Sequence, residues 1–266
     1  MKYALVTGAG SGLGRASSEA LAETGFFVFA ADINIDIIDQ TDRIFPLVMD
    51  VTNDESVAAA IKIIKERTDR LAVVANFAGV VNIGALIEND VSAMGRVIEV
   101  GLLGTMRVNQ VTFALLERDR GRIINISSEY GTLDTVPFHV YYTAMKHALE
   151  VYSDGLRREI DKFGVKVVKI RPGAFQTAMQ QGVQSQFDAL LKATELYEKP
   201  LKKMEKLMVA ELLKAHPVSK FVKTFIKAAT TKKPRRTYEV GRSFKMRLLS
   251  ALPTSVQDWL FRLFMR

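Results

Sequence analysis

Short apolar runs alternate with longer stretches of helical periodicity along most of this chain, and that alternation narrows its fold more than any other feature. Lys2–Thr7, Phe26–Ala31, Ile44–Met49, Leu71–Asn76, Gly121–Ser127 and Val165–Ile170 read as buried strands, with Thr237–Val240 a seventh. Gly14–Glu23, Asp54–Thr68, Val91–Arg118 and Tyr142–Phe163 lie between them and carry apolar residues at i, i+3 and i+4. Strands linked by helices run parallel, and strands buried on both faces read as continuous apolar runs. The expectation is an α/β fold, a doubly wound parallel sheet of about seven strands with helices on both faces. No internal repeat or low-complexity linker divides the chain, so residues 1–266 are read as one domain.

Two segments depart from this rhythm. Residues 176–216, rich in Gln, Lys, Met and Leu, read as helical and follow a strand C-terminus, where such sheets bind ligands. They are either a substrate lid or a surface insertion. Residues 243–266 alternate apolar and basic positions and end Trp259-Leu260-Phe261-Arg262-Leu263-Phe264-Met265-Arg266. Packing on the fold, forming an interface and lying on lipid all remain open for them.

Composition removes several classes. No run of about 20 apolar residues is free of charge, so no transmembrane helix is expected. Met1-Lys2-Tyr3 leads straight into a strand, so no signal peptide is expected either. Cysteine is absent, which excludes disulfides, Cys-based zinc sites and Cys nucleophiles and is compatible with the cytoplasm. His139, His147 and His216 have no metal-ligand spacing, and surface or core roles are expected for them. The net charge of +8 is concentrated late: residues 199–266 carry 17 Lys/Arg against 4 Asp/Glu. Such a basic end meets an anionic surface or is a solvated helical face; no nucleic-acid partner is expected.

Between the first strand and first helix lies Thr7-Gly8-Ala9-Gly10-Ser11-Gly12-Leu13-Gly14. Glycines there permit a tight turn and close backbone approach, and the free N–H groups of Ser11, Gly12 and Leu13 at the helix start suit a pyrophosphate. Asp32 closes the second strand, where a carboxylate accepts from both ribose hydroxyls and repels a 2′-phosphate; no Lys or Arg follows in Ile33–Ile38, so NAD is expected over NADP. The alternative is a plain turn aspartate. Asp50-Val51 after the third strand could receive the adenine. Asn76-Phe77-Ala78-Gly79 ends the fourth, with Ala78 and Gly79 admitting a ribose.

Tyr142 and Lys146 are four apart on a helix and share a face. A nearby ammonium favours phenolate, so Tyr142 is a candidate general base toward an alcohol or acid toward a carbonyl. Tyr141 points about 100° away and has Met145, not Lys, four residues on. Ser128 ends the fifth strand and is placed to steady a developing alkoxide; its neighbour Ser127 remains an alternative. Glu129 and Tyr130 either line the pocket or fill the turn.

Over residues 1 to about 245 the chain resembles the short-chain dehydrogenase/reductase family. The motifs are Thr7-Gly-x-x-x-Gly-x-Gly14, Asn76-x-Ala-Gly79, Ser128, Tyr142-x-x-x-Lys146 and Pro172-Gly173-x-x-x-Thr177. Ser153–Glu159 and Ile170–Phe175 are similar to the hydroxysteroid and retinol dehydrogenase branch. The resemblance implies a Rossmann-type fold and a nicotinamide-dependent exchange of hydride with a secondary alcohol or ketone. It implies that Gly8, Gly14, Asp50, Val51, Asn76 and Gly79 help hold the cofactor and that Lys146 binds its ribose. Pro172, Gly173, Phe175 and Thr177 would clamp the carboxamide. It further implies a homodimer or homotetramer through the helices near 91–118 and 142–163. Phe187, Leu190, Leu191, Leu196, Met204, Leu207 and Met208 give the lid an apolar cast suited to a steroid- or lipid-like substrate.

Two positions depart from the pattern. Gly101 stands where the family has an Asn supporting a water in a proton relay, and a second water filling its place is the expected compensation. Phe77 stands where Asn is common.

Overall fold

The computed structural model describes residues 1–177 and 179–266, with side chains outside 179–181. Seven strands, β1 (Lys2–Thr7), β2 (Phe26–Asp32), β3 (Ile44–Val48), β4 (Val73–Asn76), β5 (Arg122–Ile126), β6 (Lys166–Pro172) and β7 (Thr237–Val240), form one parallel sheet in the order β3-β2-β1-β4-β5-β6-β7. Chain order reverses beside β1, so β1 and β4 diverge and leave a crevice beyond their C-terminal ends. Register pairs Thr7 with both Ala31 and Asn76, which brings three ligand-edge residues level.

Helices cover both faces. α1 (Gly12–Glu23) packs against α8 (Val218–Thr230) on one side. Their contact works because α1 buries Ser17 and Ser18, small enough for close approach, while α8 presents Phe221, Phe225, Ala228 and Ala229 at helical spacing. α2 (Asp54–Arg67), α4 (Gly104–Asp119) and α5 (Val140–Ile160) cover the other face, where Leu5, Phe29, Val74 and Ile123 meet Ile64, Val108 and Leu116. Asn53 caps α2 by accepting from Ser56 N–H at 2.8 Å. α8 was not among the expected helices, although its period is plain once Phe221 and Phe225 are read together.

The single helix expected over Val91–Arg118 is interrupted. α3 (Val91–Ile98) and α4 are joined by a π-helical turn, Glu99–Leu103, with Gly101 at its centre. One residue more than an α-turn is accommodated there, and the Gly101 carbonyl accepts from Thr105 Oγ1 at 3.1 Å.

The expected lid consists of α6 (Met179–Ala193) and α7 (Glu198–Leu212), with Ala178 lying outside the described residues. A third apolar cluster, separate from the sheet, joins them to the segments after β4 and β5: Ile83, Ala85 and Phe138 meet Val183, Phe187, Leu201 and Met204. Polar contacts fasten the same seam. Gln186 accepts from Ile83 N–H at 2.9 Å and donates to the Val81 carbonyl at 3.1 Å. Glu88 clasps the α6–α7 connection, accepting from the Thr194 hydroxyl and the N–H groups of Glu195 and Leu196 at 2.7–2.9 Å. Two short helices, α9 (Phe244–Ser250) and α10 (Thr254–Met265), end the chain. No helix among the described residues is long and apolar enough to cross a membrane.

Candidate active site

The glycine turn stands at the crevice. Gly12 has φ +53°, a conformation side-chain-bearing residues rarely adopt. Added methyl groups would be obstructed elsewhere in the turn: at Gly14 by the Gly8 carbonyl, and at Gly8 by Ala78 N at 2.7 Å. Ser11 occupies the N-cap of α1 in an extended conformation, and its side chain caps no N–H, so the first turn of α1 keeps donors facing the crevice. The turn therefore fits a pyrophosphate through backbone alone.

Asp32 reaches back across it, accepting from Gly10 N–H at 2.8 Å and from Asn34 N–H at 3.3 Å. The nearest motif cation, Arg15, is engaged by Glu19 at 2.9 Å and Asp39 at 3.2 Å. Asp50 accepts from the Thr52 hydroxyl and N–H at 2.7 and 2.9 Å, and these bonds hold its carboxyl below the ordinary range. The Val51 carbonyl is taken by Arg107 at 2.7 Å, and Arg107 also pairs with Glu99 and Asp54.

Asn76 turns its side chain into the protein: Nδ2 donates to Asn109 Oδ1 and Asn125 Oδ1, both at 2.8 Å. Asn125 in turn donates to Ser153 at 2.9 Å, so a buried polar line ties β4, β5, α4 and α5 together. Asn76 Oδ1 is buried without a hydrogen-bond partner among the described residues. Phe77 packs edge-on against Phe221 and Phe225 at 5.8 and 5.4 Å, which explains an aromatic in place of Asn. Ala78 N–H donates to Thr7 Oγ1 at 3.3 Å, and a Cβ added at Gly79 would make only an ordinary contact, 3.8 Å from the Phe77 carbonyl.

Ser128, Tyr142 and Lys146 converge where β5 meets α5. Ser128 Oγ accepts from Tyr130 N–H at 3.2 Å and shares a hydrogen bond with the Tyr142 hydroxyl. Ser127 faces the other way, toward Glu150 and Gly131, so Ser128 is the serine brought to the tyrosine. The Tyr142 ring is partly exposed but its hydroxyl is buried, and burial pushes the phenol up to about 12 against the opposing Ser128 hydrogen bond. The lowering expected from Lys146 is not achieved by the protein alone. Lys146 Nζ lies 5.5 Å from the Tyr142 ring centre and donates to the Ile126 carbonyl at 2.8 Å. Burial brings this ammonium down to about 8, with Glu150, one turn on, opposing the shift.

Behind Lys146 stands an ionic cluster that the sequence reading passed over. Glu150 binds Lys169 at 2.8 Å and Arg171 at 2.7 Å; Lys169 also binds Asp154 at 2.8 Å. Burial alone would raise the Glu150 carboxyl, but these cations and Ser127 hold it low. The cluster fixes α5, and hence Tyr142 and Lys146, against β6.

The far wall is residues 172–177. Gly173 N–H donates to Val240 O at 2.9 Å, and a side chain there would strike the Gly241 carbonyl. Pro172 ends β6 and is buried. The Phe175 ring stacks edge-on with Phe221 at 5.7 Å and lies against His216, so this side chain belongs to the core wall. Thr177 Cβ sits 3.3 Å from where a Gly12 Cβ would be, which brings this loop over the phosphate turn.

Three further residues join the site. His139 is buried with its ring 4.6 Å from Tyr130 and 5.1 Å from Tyr142, and burial lowers its pKa to about 4. It is a neutral aromatic wall beside the tyrosine, preceded by Phe138 at φ +66°. Glu129 is buried beside Ser128 and accepts from Ser243 N–H at 2.8 Å, so it anchors the C-terminal segment. Met145 fills the place expected to hold a compensating water: a Cβ on Gly101 would lie 2.7 Å from its sulfur and terminal methyl.

A phosphate turn at the switch point of a parallel sheet, beside a buried Ser–Tyr–Lys group, defines a dinucleotide-dependent oxidoreductase. The short chain dehydrogenase family model matches residues 2–188, and the chain belongs to that family. It is 33% identical to human 17-beta-hydroxysteroid dehydrogenase type 6 over 97% of this chain and 87% of that one. It is 32% identical to retinol dehydrogenase 16 of Rattus norvegicus over 98% and 87%. A short chain dehydrogenase from Burkholderia cenocepacia, solved with NADP, superimposes with a TM-score of 0.74 at 24% identity, covering 99% of each chain.

Proposed function

We propose that this protein is an NAD(H)-dependent dehydrogenase acting between a secondary alcohol and its ketone on an apolar, steroid- or lipid-like substrate. The observation that carries this reading is the convergence of Ser128, Tyr142 and buried Lys146 where β5 meets α5, with Lys146 Nζ 5.5 Å from the Tyr142 ring centre. When bound, the nicotinamide supplies or takes up the hydride and, oxidised, brings a positive charge beside the phenol. Tyr142 moves the proton to or from the substrate oxygen, Ser128 holds that oxygen, and Lys146 supports the phenolate. A phenol near 12 is protonated at neutral pH and ready to donate in the reducing direction; in oxidation it must first lose that proton.

NAD is favoured over NADP because the Asp32 carboxylate is fixed at the turn and Arg15 is already paired with two acids. An apolar substrate is favoured by Phe187, Leu201 and Met204 in the lid and by the names of the relatives. Residues 1–266 act as one domain with α6–α7 as lid. A homodimer or homotetramer through α4 and α5 is supported by outward Met106 and Val151. We assign the protein to the cytoplasm, free or associated with a membrane through residues 243–266.

A second reading, a dinucleotide-binding regulator or scaffold with little turnover, is favoured by Met145 packed against Gly101. Nicotinamide absorbance with NAD(H) and NADP(H), against steroid, retinoid and simple alcohol–ketone pairs, separates the two. The expectation is turnover with NAD(H) that falls about 10²–10⁴-fold in Tyr142→Phe while NADH binding persists. Tight NADH binding without turnover across the panel would move the assignment to the second reading.

A further inference from the structure

The C-terminal helices have two unlike faces. Inward, α9 and α10 are fastened to the loop between Ser128 and Tyr142. Ser243 N–H donates to Glu129, Ser250 Oγ accepts from Asp134 N–H at 3.2 Å, and buried Gln257 donates to Asp134 at 2.7 Å. Phe264 and Met265 pack on the lid cluster, and the Phe264 carbonyl accepts from Lys203 on α7 at 3.1 Å. The segment therefore bridges the catalytic loop and the lid.

Outward, α10 presents Val256, Trp259, Leu260 and Leu263, at i, i+3, i+4 and i+7, an arc of about 100° on the helix. Trp259 is 55% and Leu263 48% exposed. α9 adds Phe244 at 76% and Leu248 at 57%. An apolar stripe turned away from the core is the reverse of what a surface helix ordinarily shows. Its rim is basic: Arg247, Arg262 and Arg266 stand against the segment's one acid, Asp258, while Lys245 is paired with Glu211 at 3.2 Å. Among the described residues Arg247, Arg262 and Arg266 have no acidic partner.

We infer that α9 and α10 dock on an anionic lipid bilayer, with the stripe at the headgroup–acyl boundary and the basic rim on the headgroups. A second copy of this chain fits less well, because a two-fold contact would set the same unpaired arginines against one another. The docked face adjoins the lid, so an apolar alcohol could enter from the membrane. That consequence rests on the proposed substrate class; the docking itself does not.

Trp259 is the only tryptophan, so it reports directly. Its emission should move to shorter wavelength with phosphatidylcholine–phosphatidylserine vesicles and much less with phosphatidylcholine alone. Arg262→Gln/Arg266→Gln should weaken binding to the anionic vesicles about tenfold or more. Leu260→Glu/Leu263→Glu should abolish pelleting with vesicles while circular dichroism and NADH binding stay unchanged. Unchanged Trp259 emission, equal binding to neutral vesicles, or a vesicle-indifferent protein whose dimer is broken by the leucine variants would each overturn the inference. Docking without turnover would count against the proposed activity alone, and turnover without docking against the inference alone.

Discussion

The phosphate turn and the seam that fastens α6 and α7 to the body are built differently. At the turn, the backbone makes the site. Gly8 and Gly14 leave no room for a Cβ, and Gly12 holds a left-handed conformation. At the α6–α7 seam, side chains make the contact, through Glu88 clasping the α6–α7 connection, Gln186 of α6 bonded to the loop after β4, and the cluster around Phe187. A backbone site tolerates one residue type at each position, whereas a packed seam has many solutions.

Gly14→Ala should therefore be the most damaging small change. Its methyl would overlap the Gly8 carbonyl, which belongs to rigid backbone. A stability loss of about 3 kcal/mol is expected, which lowers the melting temperature by about 10 °C in a chain of this size. NADH binding, followed by fluorescence, should be lost with it. A variant melting like the wild type would show that the turn can relax and would erase the contrast.

His139 tests the side-chain end of the molecule. Its folded value of about 4 lies below the ordinary 6.5, so between these limits the unfolded chain binds more protons. Its contribution to stability is complete above pH 6.5 and is lost as the pH falls toward 4. The full span corresponds to about 3 kcal/mol. His139→Phe keeps the ring contacts with Tyr130 and Tyr142 but does not titrate. Urea unfolding of the two proteins from pH 4 to 7 should show the wild type losing ground on acidification relative to the variant. Parallel curves would mean that the ring is solvated.

This contrast also explains what the sequence disclosed. The strands, α1, α2 and α5 were legible because burial on both faces of a parallel sheet leaves uninterrupted apolar runs and the helices carry a clear period. Tyr142, Lys146 and the glycine turn were legible because few other residue types do their chemistry or fit their space. The role of His139 was not legible: an isolated histidine says nothing of the two tyrosines folding brings beside it. The break at Gly101 was equally hidden, because Val97-Ile98-Glu99-Val100-Gly101-Leu102-Leu103 is apolar at most positions and so masks the one-residue phase shift of a π-turn. The outward stripe on α10 has the same period as an inward one, and only packing decides which face meets the core.

Gly101 sits between the two extremes, since its obstacle is the movable end of Met145. Gly101→Asn should cost about 1–2 kcal/mol, less than Gly14→Ala. Met145→Ala in the same chain should recover part of that loss, giving a coupling of about 1 kcal/mol in a double-mutant cycle of thermal unfolding. Additive effects would show that the two residues are independent and that something else shapes the π-turn.

The smallest effect is expected at Gly182, inside α6, where an added Cβ meets nothing within 4 Å. Here glycine serves no steric need, and Ala should favour the helix by about 0.5–1 kcal/mol by narrowing the freedom of the unfolded chain. Because the lid is joined to the body by a separate cluster, the gain should appear first as slower hydrogen exchange across α6 and only weakly in the melting temperature. The same glycine-to-alanine change would then destabilise the turn and steady the lid. If Gly182→Ala instead speeds exchange in α6, the glycine is needed for a bend or an approach that the lid makes in use, and the lid would share the backbone constraint that distinguishes the turn.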